Sequence, residues 1–389
     1  MRLRATLAVL GVAAIAACSD STAPREPSQP EPLQGSRVIP GQYIVVYKES
    51  VADALGLTQR LLGARGVTPL YTYDAALKGF AARLDAAALA AVRQDPRVAL
   101  VEADQEYSIQ VTQNMDANGD PWGLDRIDET ALPLSRTYTY TATGAGVRNY
   151  IIDTGISTSH SQFGGRASNV YDAFGGNGQD CHGHGTHVAG TVGASTWGVA
   201  KQALLRGVRV LNCSGSGSTS GIIAGINWVR TNHIKPAVAN LSLGGGFSST
   251  LNTAVNNLAA AGVFVAVAAG NNNMNACNFS PASATGVFSA ASSTRTDAKS
   301  SFSNHGSCVE GYAPGSSIKS TWLSGGTNTI SGTSMASPHV AGVATLYKSA
   351  NGDASQATIS NWIIANATTG VITGNPSGTP NRLLNKRSL

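Results

Sequence analysis

Alternating apolar and polar positions divide the chain into two predicted folded units. Before residue 110 the pattern predicts three strands, at 43–47, 77–84 and 98–101, and two helices, at 51–64 and from the cap Asp85 to Arg93. These three strands and two helices are compatible with a βαββαβ order, which contains a fourth strand. We therefore predict a small ferredoxin-like α+β unit over residues 42–107.

Residues 111–389 alternate continuous apolar strands with helical repeats. Strands are predicted at 147–152, 205–211, 238–243 and 263–268, and helices at 184–193, 219–231 and 249–261. Apolar strands separated by helices are typical of a parallel sheet covered on both faces. We therefore predict an α/β fold with a doubly wound, mainly parallel sheet, whose functional side chains gather at the carboxyl ends of the strands.

Charge supports a division near residue 110. The first 110 residues carry 22 Asp, Glu, Lys or Arg, whereas the other 279 carry 27, and 37 of the 44 glycines lie in this second part. The hydrophobic content of 42% excludes a disordered chain, and the glycines follow no collagen period. The net charge of +5 comes without a basic cluster, so nucleic-acid binding is not expected.

The first 18 residues are typical of a signal peptide. Arg2 and Arg4 precede an apolar stretch that ends Ile15-Ala16-Ala17-Cys18 and resembles a bacterial lipobox. We predict a lipoprotein-type leader over residues 1–18 with Cys18 lipidated; the alternative is ordinary cleavage after a small residue. Residues 19–41, rich in Ser and Pro, are predicted to form a tether. The leader predicts an exported protein. No later stretch is long and apolar enough to span a bilayer, so no second membrane element is expected.

Five cysteines leave one unpaired in an oxidising compartment, and Cys18 accounts for it. The other four allow three disulfide pairings: they are Cys181, Cys213, Cys277 and Cys308.

Four side chains at predicted element ends could carry chemistry. Asp153 ends a strand in I-I-D-T-G, and His184 begins a helix in H-G-H-G-T-H-V-A-G. Ser334 opens a helix in G-T-S-M-A-S-P-H-V-A-G, and Asn271 follows a strand in A-A-G-N. Alone, each has an ordinary structural interpretation: a turn Asp, a capping Ser or a turn Asn. The histidines could alternatively hold zinc, with His182, His184 and His187 as ligands.

Taken together, the motifs resemble a known family. The order Asp, His, Ser is the subtilisin order. Residues 111–389 resemble a subtilisin-like serine peptidase of the proteinase K/aqualysin branch, through these motifs together with S-G-S-G-S-T-S-G and N-L-S-L-G-G. Residues 42–107 resemble the inhibitor-type propeptide of the same family.

The resemblance implies catalytic roles. Asp153 would orient His184, His184 would act as general base and acid, and Ser334 would attack the peptide carbonyl. Asn271 and the backbone N–H of Ser334 would hold the oxyanion. His187 would be structural. Two segments would form the edges of the cleft for protein and peptide substrates, and their residues are Ser214, Gly215, Ser216, Gly217, Ser242, Leu243, Gly244 and Gly245. No charge is placed among them, so a broad, apolar-leaning specificity is expected.

The resemblance also implies the sequential disulfides, Cys181–Cys213 and Cys277–Cys308, and structural calcium. One calcium site would use the carbonyls of Thr285 and Val287 with the carboxylate of Glu310. A second would use residues near the start of the unit: Asp125, Asp128 and Glu129. The sequence departs from the family at Glu310, where Asp is usual, and at His182, where Asn is usual.

We therefore expect a secreted serine endopeptidase made as a self-processing zymogen. The propeptide would inhibit its own enzyme, and cleavage near Gln110-Val111 would release a monomeric protease into the extracellular space. Cys18 would anchor only the precursor. Two other classes compete with this interpretation: a lipid-anchored binding protein without turnover and the zinc hydrolase.

Overall fold

The computed structural model describes residues 37–74, 78–106 and 111–389. The predictions for the signal peptide, Cys18, most of the tether and Gln110 lie outside these residues. The chain divides into two compact units, Met1–Tyr107 and Ser108–Leu389. Within the described ranges, no helix has the length and apolar character that crossing a membrane requires.

The smaller unit has the βαββαβ order that the sequence predicts. Its elements are β1 (Arg37–Tyr47), α1 (Ala54–Gly63), β2 (Tyr71–Tyr73), β3 (Gly79–Arg83), α2 (Ala86–Gln94) and β4 (Val98–Glu106). The strands pair in the order β2-β3-β1-β4, and each pairing is antiparallel. Both helices begin after a capping aspartate, because Asp53 accepts from Gly56 N and Asp85 from Ala88 N.

One boundary of this unit was predicted wrongly. Residues 37–41, which were assigned to the tether, belong to β1, and Arg37 pairs with Glu106 of β4. Pro40 lies within this strand, and the register of β1 on β4 shifts between Val38 and Tyr43. The composition of the tether hid the strand, because proline and glycine are poor signals for a strand.

The larger unit contains fifteen strands and six helices in the part that the structure describes. Its helices are α3 (Trp122–Asp128), α4 (His184–Gly193), α5 (Thr219–Asn232), α6 (Ser249–Ala260), α7 (Thr333–Asn351) and α8 (Gln356–Asn366). Its strands are β5 (Val111–Asn114), β6 (Thr137–Tyr140), β7 (Arg148–Asp153), β8 (Ala167–Asp172), β9 (Leu204–Arg209), β10 (Ala237–Leu241), β11 (Gly245–Gly246), β12 (Phe264–Ala268), β13 (Phe279–Ser280), β14 (Phe288–Ser293), β15 (Gly311–Pro314), β16 (Ile318–Thr321), β17 (Thr327–Ile330), β18 (Thr368–Thr369) and β19 (Arg382–Leu383).

Nine of these strands form the central sheet, in the order β18-β19-β15-β14-β12-β10-β7-β9-β8. All pairings are parallel except that of β18 with β19. After β7, the chain first adds β8 and β9 on one side of that strand. It then crosses to the other side, where β10 pairs with β7 and the later strands follow. The carboxyl ends of β7 and β10 therefore lie at a topological switch point, where α/β sheets place their functional sites.

Helices cover both faces of this sheet, as the sequence predicts. One core contains Val188 of α4 and Val340 of α7 together with Ile151 of β7. The other contains Ile226 of α5 and Val255 of α6. Because each face is buried, the strands can be apolar at every position, and all residues of β10 and β12 are buried.

Candidate active site

Asp153 and His184 meet at the carboxyl end of β7. Asp153 is the last residue of β7 and is fully buried, and His184 is the first residue of α4. The Nδ1 atom of His184 lies 2.7 Å from Oδ1 of Asp153, which also accepts the backbone N–H of Thr154 at 2.8 Å. The carboxylate therefore fixes the tautomer and direction of the imidazole, so that Nε2 is the nitrogen left for chemistry.

Two glycines let the loops around this pair come close. Gly183, immediately before His184, has φ 104°, and a Cβ there would lie 2.5 Å from the ring of Trp322. Gly155, two residues after Asp153, has φ 94°, and its Cβ would meet the carbonyl oxygen of Gly178. Both positions therefore require glycine, for conformation and for space.

Opposing influences set the pKa of His184. Burial favours the neutral imidazole and lowers the pKa. The charge and hydrogen bond of Asp153, and beyond them the charge of Asp180, act in the opposite direction and prevail, so the pKa is raised above its ordinary value. In contrast, burial lowers the pKa of His187 to about 3. The Nε2 atom of His187 lies 2.9 Å from the carbonyl of Ile318, which suits a neutral structural residue.

Ser334 lies in the first turn of α7, where backbone N–H groups favour developing negative charge. Ser242, just after β10, binds it twice. Ser242 Oγ donates to the carbonyl of Ser334 at 2.7 Å, and Ser334 Oγ donates to the carbonyl of Ser242 at 3.1 Å. The buried Asn240 donates in turn to Ser242 Oγ. The start of α7 is therefore fixed to the end of β10.

Asn271 is oriented by its neighbours. Its Oδ1 accepts two hydrogen bonds from Thr333, from N at 2.8 Å and from Oγ1 at 2.9 Å, so its Nδ2 is the free donor. A Cβ built on Gly332 would lie 3.5 Å from this Nδ2 and 3.6 Å from the backbone N of Ser334. The two N–H donors therefore adjoin the same small space, as an oxyanion site requires.

Two cavities flank these groups and share the segment 243–244. The first lies beside Ser334 and Asn271, and its lining carries no charged side chain: Leu243, Gly244, Gly245, Gly246, Ala268, Ala269, Gly270, Asn272, Phe279, Ser280, Ala282 and Thr333 complete it. The second contains His184 together with most of the predicted cleft edges: Ser214, Gly215, Ser216, Gly217, Ser242, Leu243 and Gly244. The structure thus brings the predicted segments together around the candidate catalytic groups.

The comparisons with known proteins agree with this arrangement. Residues 144–384 match the subtilase family, and residues 42–110 match the peptidase inhibitor I9 family. The chain belongs to the subtilase family. It is therefore a serine proteinase with an inhibitor-type propeptide unit, as the sequence motifs indicate.

Similar subtilases span nearly the whole chain. An extracellular serine proteinase of Thermus sp. (strain Rt41A) is 49% identical and covers 97% of each chain. The subtilisin-like serine protease AsES of Sarocladium strictum is 48% identical and covers 98% of each. The crystal structure of a cold adapted subtilisin-like serine proteinase is 50% identical, with a TM-score of 0.68, over 69% of this chain and 98% of that chain.

Several residues of this subtilase site have no role predicted from the sequence. Asp180 and Asn240 are buried behind it, and Phe279 and Ala282 line the first cavity. The motifs assign no role to the two buried polar residues. Asp180 accepts from backbone N–H groups and hydroxyls around His184, and Asn240 bonds to the hydroxyls of Ser242 and Ser337. Gly245, predicted as a cleft edge, pairs with Ser280 as part of β11.

The disulfides are those implied by the resemblance: Cys181–Cys213 and Cys277–Cys308. The first joins the loop before α4 to the predicted cleft edge at Ser214. Arg209 donates to both of its sulfur atoms and pairs with Asp172 at 3.4 Å. The bond therefore ties the histidine loop to the substrate side of the cleft.

The second predicted calcium site does not fit a cation. Asp128 accepts the ammonium of Lys386 at 2.8 Å and the N–H of Thr139 at 2.7 Å. Asp125 accepts from Ser135 and Arg136, and the carbonyl of Glu129 accepts from Arg126 and Asn385. The carboxylates of Asp125 and Asp128 therefore already have protein donors, and Lys386 supplies the positive charge.

The first predicted calcium site has a suitable donor chemistry. Glu310 accepts the backbone N–H of Ser289, and burial raises its pKa to about 7, so a cation would stabilise its charged form. With the carbonyls of Thr285 and Val287 it would supply only oxygen ligands, which calcium prefers.

The zinc alternative finds no support in the geometry. The described residues contain no group of three or more His, Cys, Asp or Glu side chains placed to hold a metal ion.

Proposed function

We propose that this subtilase is an exported endopeptidase that cleaves peptide bonds through Asp153, His184 and Ser334. The observation that carries the proposal is the 2.7 Å contact between His184 Nδ1 and the buried Asp153, in a unit whose helix α7 carries Ser334 in its first turn. The candidate site combines a buried carboxylate, an oriented imidazole and a serine next to two N–H donors. These are the groups that acyl transfer to a serine requires.

In the first half of the reaction, Ser334 Oγ attacks the peptide carbonyl and its proton passes to His184 Nε2. Asp153 stabilises the imidazolium through Nδ1 and remains charged. The C–N bond then breaks, the amine leaves with the proton from His184, and Ser334 holds the acyl group as an ester. Water repeats the sequence in the second half: His184 takes its proton, the acid is released, and Ser334 regains its hydrogen.

Asn271 and the backbone N–H of Ser334 would stabilise the oxyanion in both halves. Thr333 holds the Asn271 carbonyl oxygen on the side away from that space, so no side-chain reorganisation is needed as charge develops. This arrangement supports a role in the transition state more than in the binding of the ground state.

Broad, apolar-leaning specificity is supported by the first cavity. It adjoins Ser334, and most of its walls are glycines, alanines, Leu243 and Phe279. The other lining side chains are uncharged amides and hydroxyls, so nothing selects a charged side chain. Peptides with an aromatic or aliphatic residue before the cleaved bond are therefore the expected substrates.

The propeptide unit would make the protein a zymogen. The match of this unit to a peptidase inhibitor family supports self-cleavage near Gln110-Val111. Export is supported by the relative from Thermus, which is described as an extracellular serine proteinase. The mature enzyme would be a monomer free of Cys18, so lipid would be found on the precursor alone.

Ser334→Ala tests the reaction and the processing together. On a gel, the wild type should shorten from the 39.8 kDa precursor and hydrolyse a peptide with an apolar residue before the cleaved bond. The Ser334→Ala chain should fold, stay at full length and be inactive. Processing or hydrolysis by that variant would refute the serine mechanism, and inactivity of both chains would favour the binding protein.

Calcium would bind through Glu310 with the carbonyls of Thr285 and Val287 and would stabilise the fold. In the Ser334→Ala background, added calcium should raise the thermal unfolding midpoint. Glu310→Gln should remove this response, whereas Asp128→Asn should keep it. A response that survives Glu310→Gln would place calcium elsewhere.

A further inference from the structure

We propose that Asp180 is a positioning residue of the catalytic centre, a second buried carboxylate that both orients His184 and favours its protonated form. The proposal rests on the triad proposed above and extends it to a residue that contacts neither substrate nor the reacting atoms. The family resemblance assigns no role to this position.

The Asp180 carboxylate accepts five hydrogen bonds from the segments that enclose His184. Its Oδ1 accepts from Thr154 Oγ1, His182 N and Gly183 N, each at 2.9 Å. Its Oδ2 accepts from Thr186, from N at 2.9 Å and from Oγ1 at 2.6 Å. Donors on both sides of His184 in sequence therefore converge on one side chain.

These contacts also join the loop of His184 to that of Asp153. Thr154, the neighbour of Asp153, donates to Asp180 and accepts the N–H of Gly185 at 2.8 Å. The distance between the imidazole and Asp153 is therefore controlled from two sides: directly by their 2.7 Å contact and indirectly through Asp180. Misplacement by about 1 Å at such a site can cost about 100-fold in rate.

Among the described residues, only neutral groups donate hydrogen bonds to the Asp180 carboxylate. Asp180 is 9% exposed. Two of its five donors are backbone N–H groups immediately before His184, two come from Thr186 in the first turn of α4, and the fifth is the hydroxyl of Thr154. Such donors, together with the positive end of the ten-residue helix, stabilise a carboxylate without cancelling its field as an arginine would.

The charge of Asp180 adds to that of Asp153 at the imidazole. Burial lowers the pKa of His184, and the two carboxylates raise it. The other titratable groups that face His184 are His187 in α4, which is neutral because burial lowers its pKa to about 3, and His182, whose ring centroid is 6.3 Å from that of His184. Asp180 thus favours the imidazolium that forms when Ser334 loses its proton.

Asp180→Asn in the processed enzyme tests this role. The asparagine amide has the same shape as the aspartate carboxylate but carries no charge. Its NH2 group would also face some of the donors that now bind the carboxylate. We expect kcat to fall by about 10- to 100-fold with KM nearly unchanged. The acid limb of kcat/KM should move to lower pH, by about one pH unit, because the imidazolium loses a neighbouring charge.

Two further variants separate charge from geometry. Asp180→Glu keeps the charge but displaces it, so kcat should fall while the acid limb stays in place. Asp172→Asn is the matched control: this carboxylate is also buried and binds the backbone N–H groups of Phe174 and Gly178, but it pairs with Arg209. It should leave the acid limb unchanged.

Each outcome decides the question. A lower kcat for Asp180→Asn with an unmoved acid limb would make Asp180 a purely structural residue and overturn the proposal, as would unchanged kinetics. If Asp180→Asn fails to fold, Asp180→Glu decides: an unmoved limb supports the proposal, and a limb moved to lower pH refutes it. An inactive wild type would instead refute the proposed function, so the two failures are distinguishable.

Discussion

The histidine side and the serine side of this active site are held in place by different chemistry. Around His184 lie two buried carboxylates, Asp153 and Asp180. Around Ser334 the side-chain contacts come from neutral groups, the hydroxyl of Ser242 and the amide of Asn271 with its partner Thr333. Full charge is placed where a proton is gained and lost, and fixed dipoles where an oxyanion appears. Sensitivity to pH should therefore belong to the histidine side alone.

The largest effect is expected on the histidine side. Asp153→Asn keeps the shape but favours the wrong imidazole tautomer, so kcat should fall by about 10⁴-fold, as in other serine proteases with such a change. Steady-state kinetics of the processed enzyme measure the loss, and Asp172→Asn serves as the control. A loss below tenfold would mean that Asp153 does not direct His184.

Asn271→Ala tests the serine side. The loss of one oxyanion donor should lower kcat by about 10²–10³-fold, the size already measured for such a donor in a subtilisin. KM should change little, and the acid limb should stay where it is, because no charge near His184 is altered. Asn227→Ala, an exposed residue of α5, is the control. A shift of the acid limb in Asn271→Ala would contradict the division between the two sides.

The wild-type pH profile gives the smallest effect and the most direct measure of the histidine side. Activity requires neutral His184, and its pKa is raised above 6.5 by the two carboxylates. The acid limb of kcat/KM should therefore lie above pH 6.5, with activity falling about tenfold per pH unit below it. A limb below pH 6.5 would show that burial outweighs the carboxylates.

Two helices of the larger unit were predictable because their starts carry local signals. Helices α5 and α6 begin at the predicted residues, Thr219 and Ser249, directly after the capping serines Ser218 and Ser248. Strand β14 was missed for a physical reason. Its three serines are polar yet buried, and Ser292 shares a hydrogen bond with Ser300, so the strand does not appear as an apolar run.

The candidate catalytic residues could be named from motifs, whereas their supports could not. Asp153, His184, Ser334 and Asn271 each lie at an element end beside glycine, which a sequence displays. Asp180 acts through backbone N–H groups, a property that no residue pattern reports. Nor does the sequence show that Asp128 is paired with Lys386, 258 positions away, an ion pair that a cation at the second predicted calcium site would have to replace.

The contact between Gly183 and Trp322 bears on how this loop can diverge among related enzymes. Any side chain at Gly183 would collide with the Trp322 ring, so this position between Asp180 and His184 requires glycine. His182 is under less constraint than Gly183. Its backbone N–H donates to Asp180, but among the described residues its buried Nδ1 atom has no hydrogen-bond partner. In a library of random variants, we expect active enzymes to keep glycine at position 183 and to carry many different residues at position 182. A histidine could therefore take the usual place of asparagine without cost to the neighbouring catalytic residue.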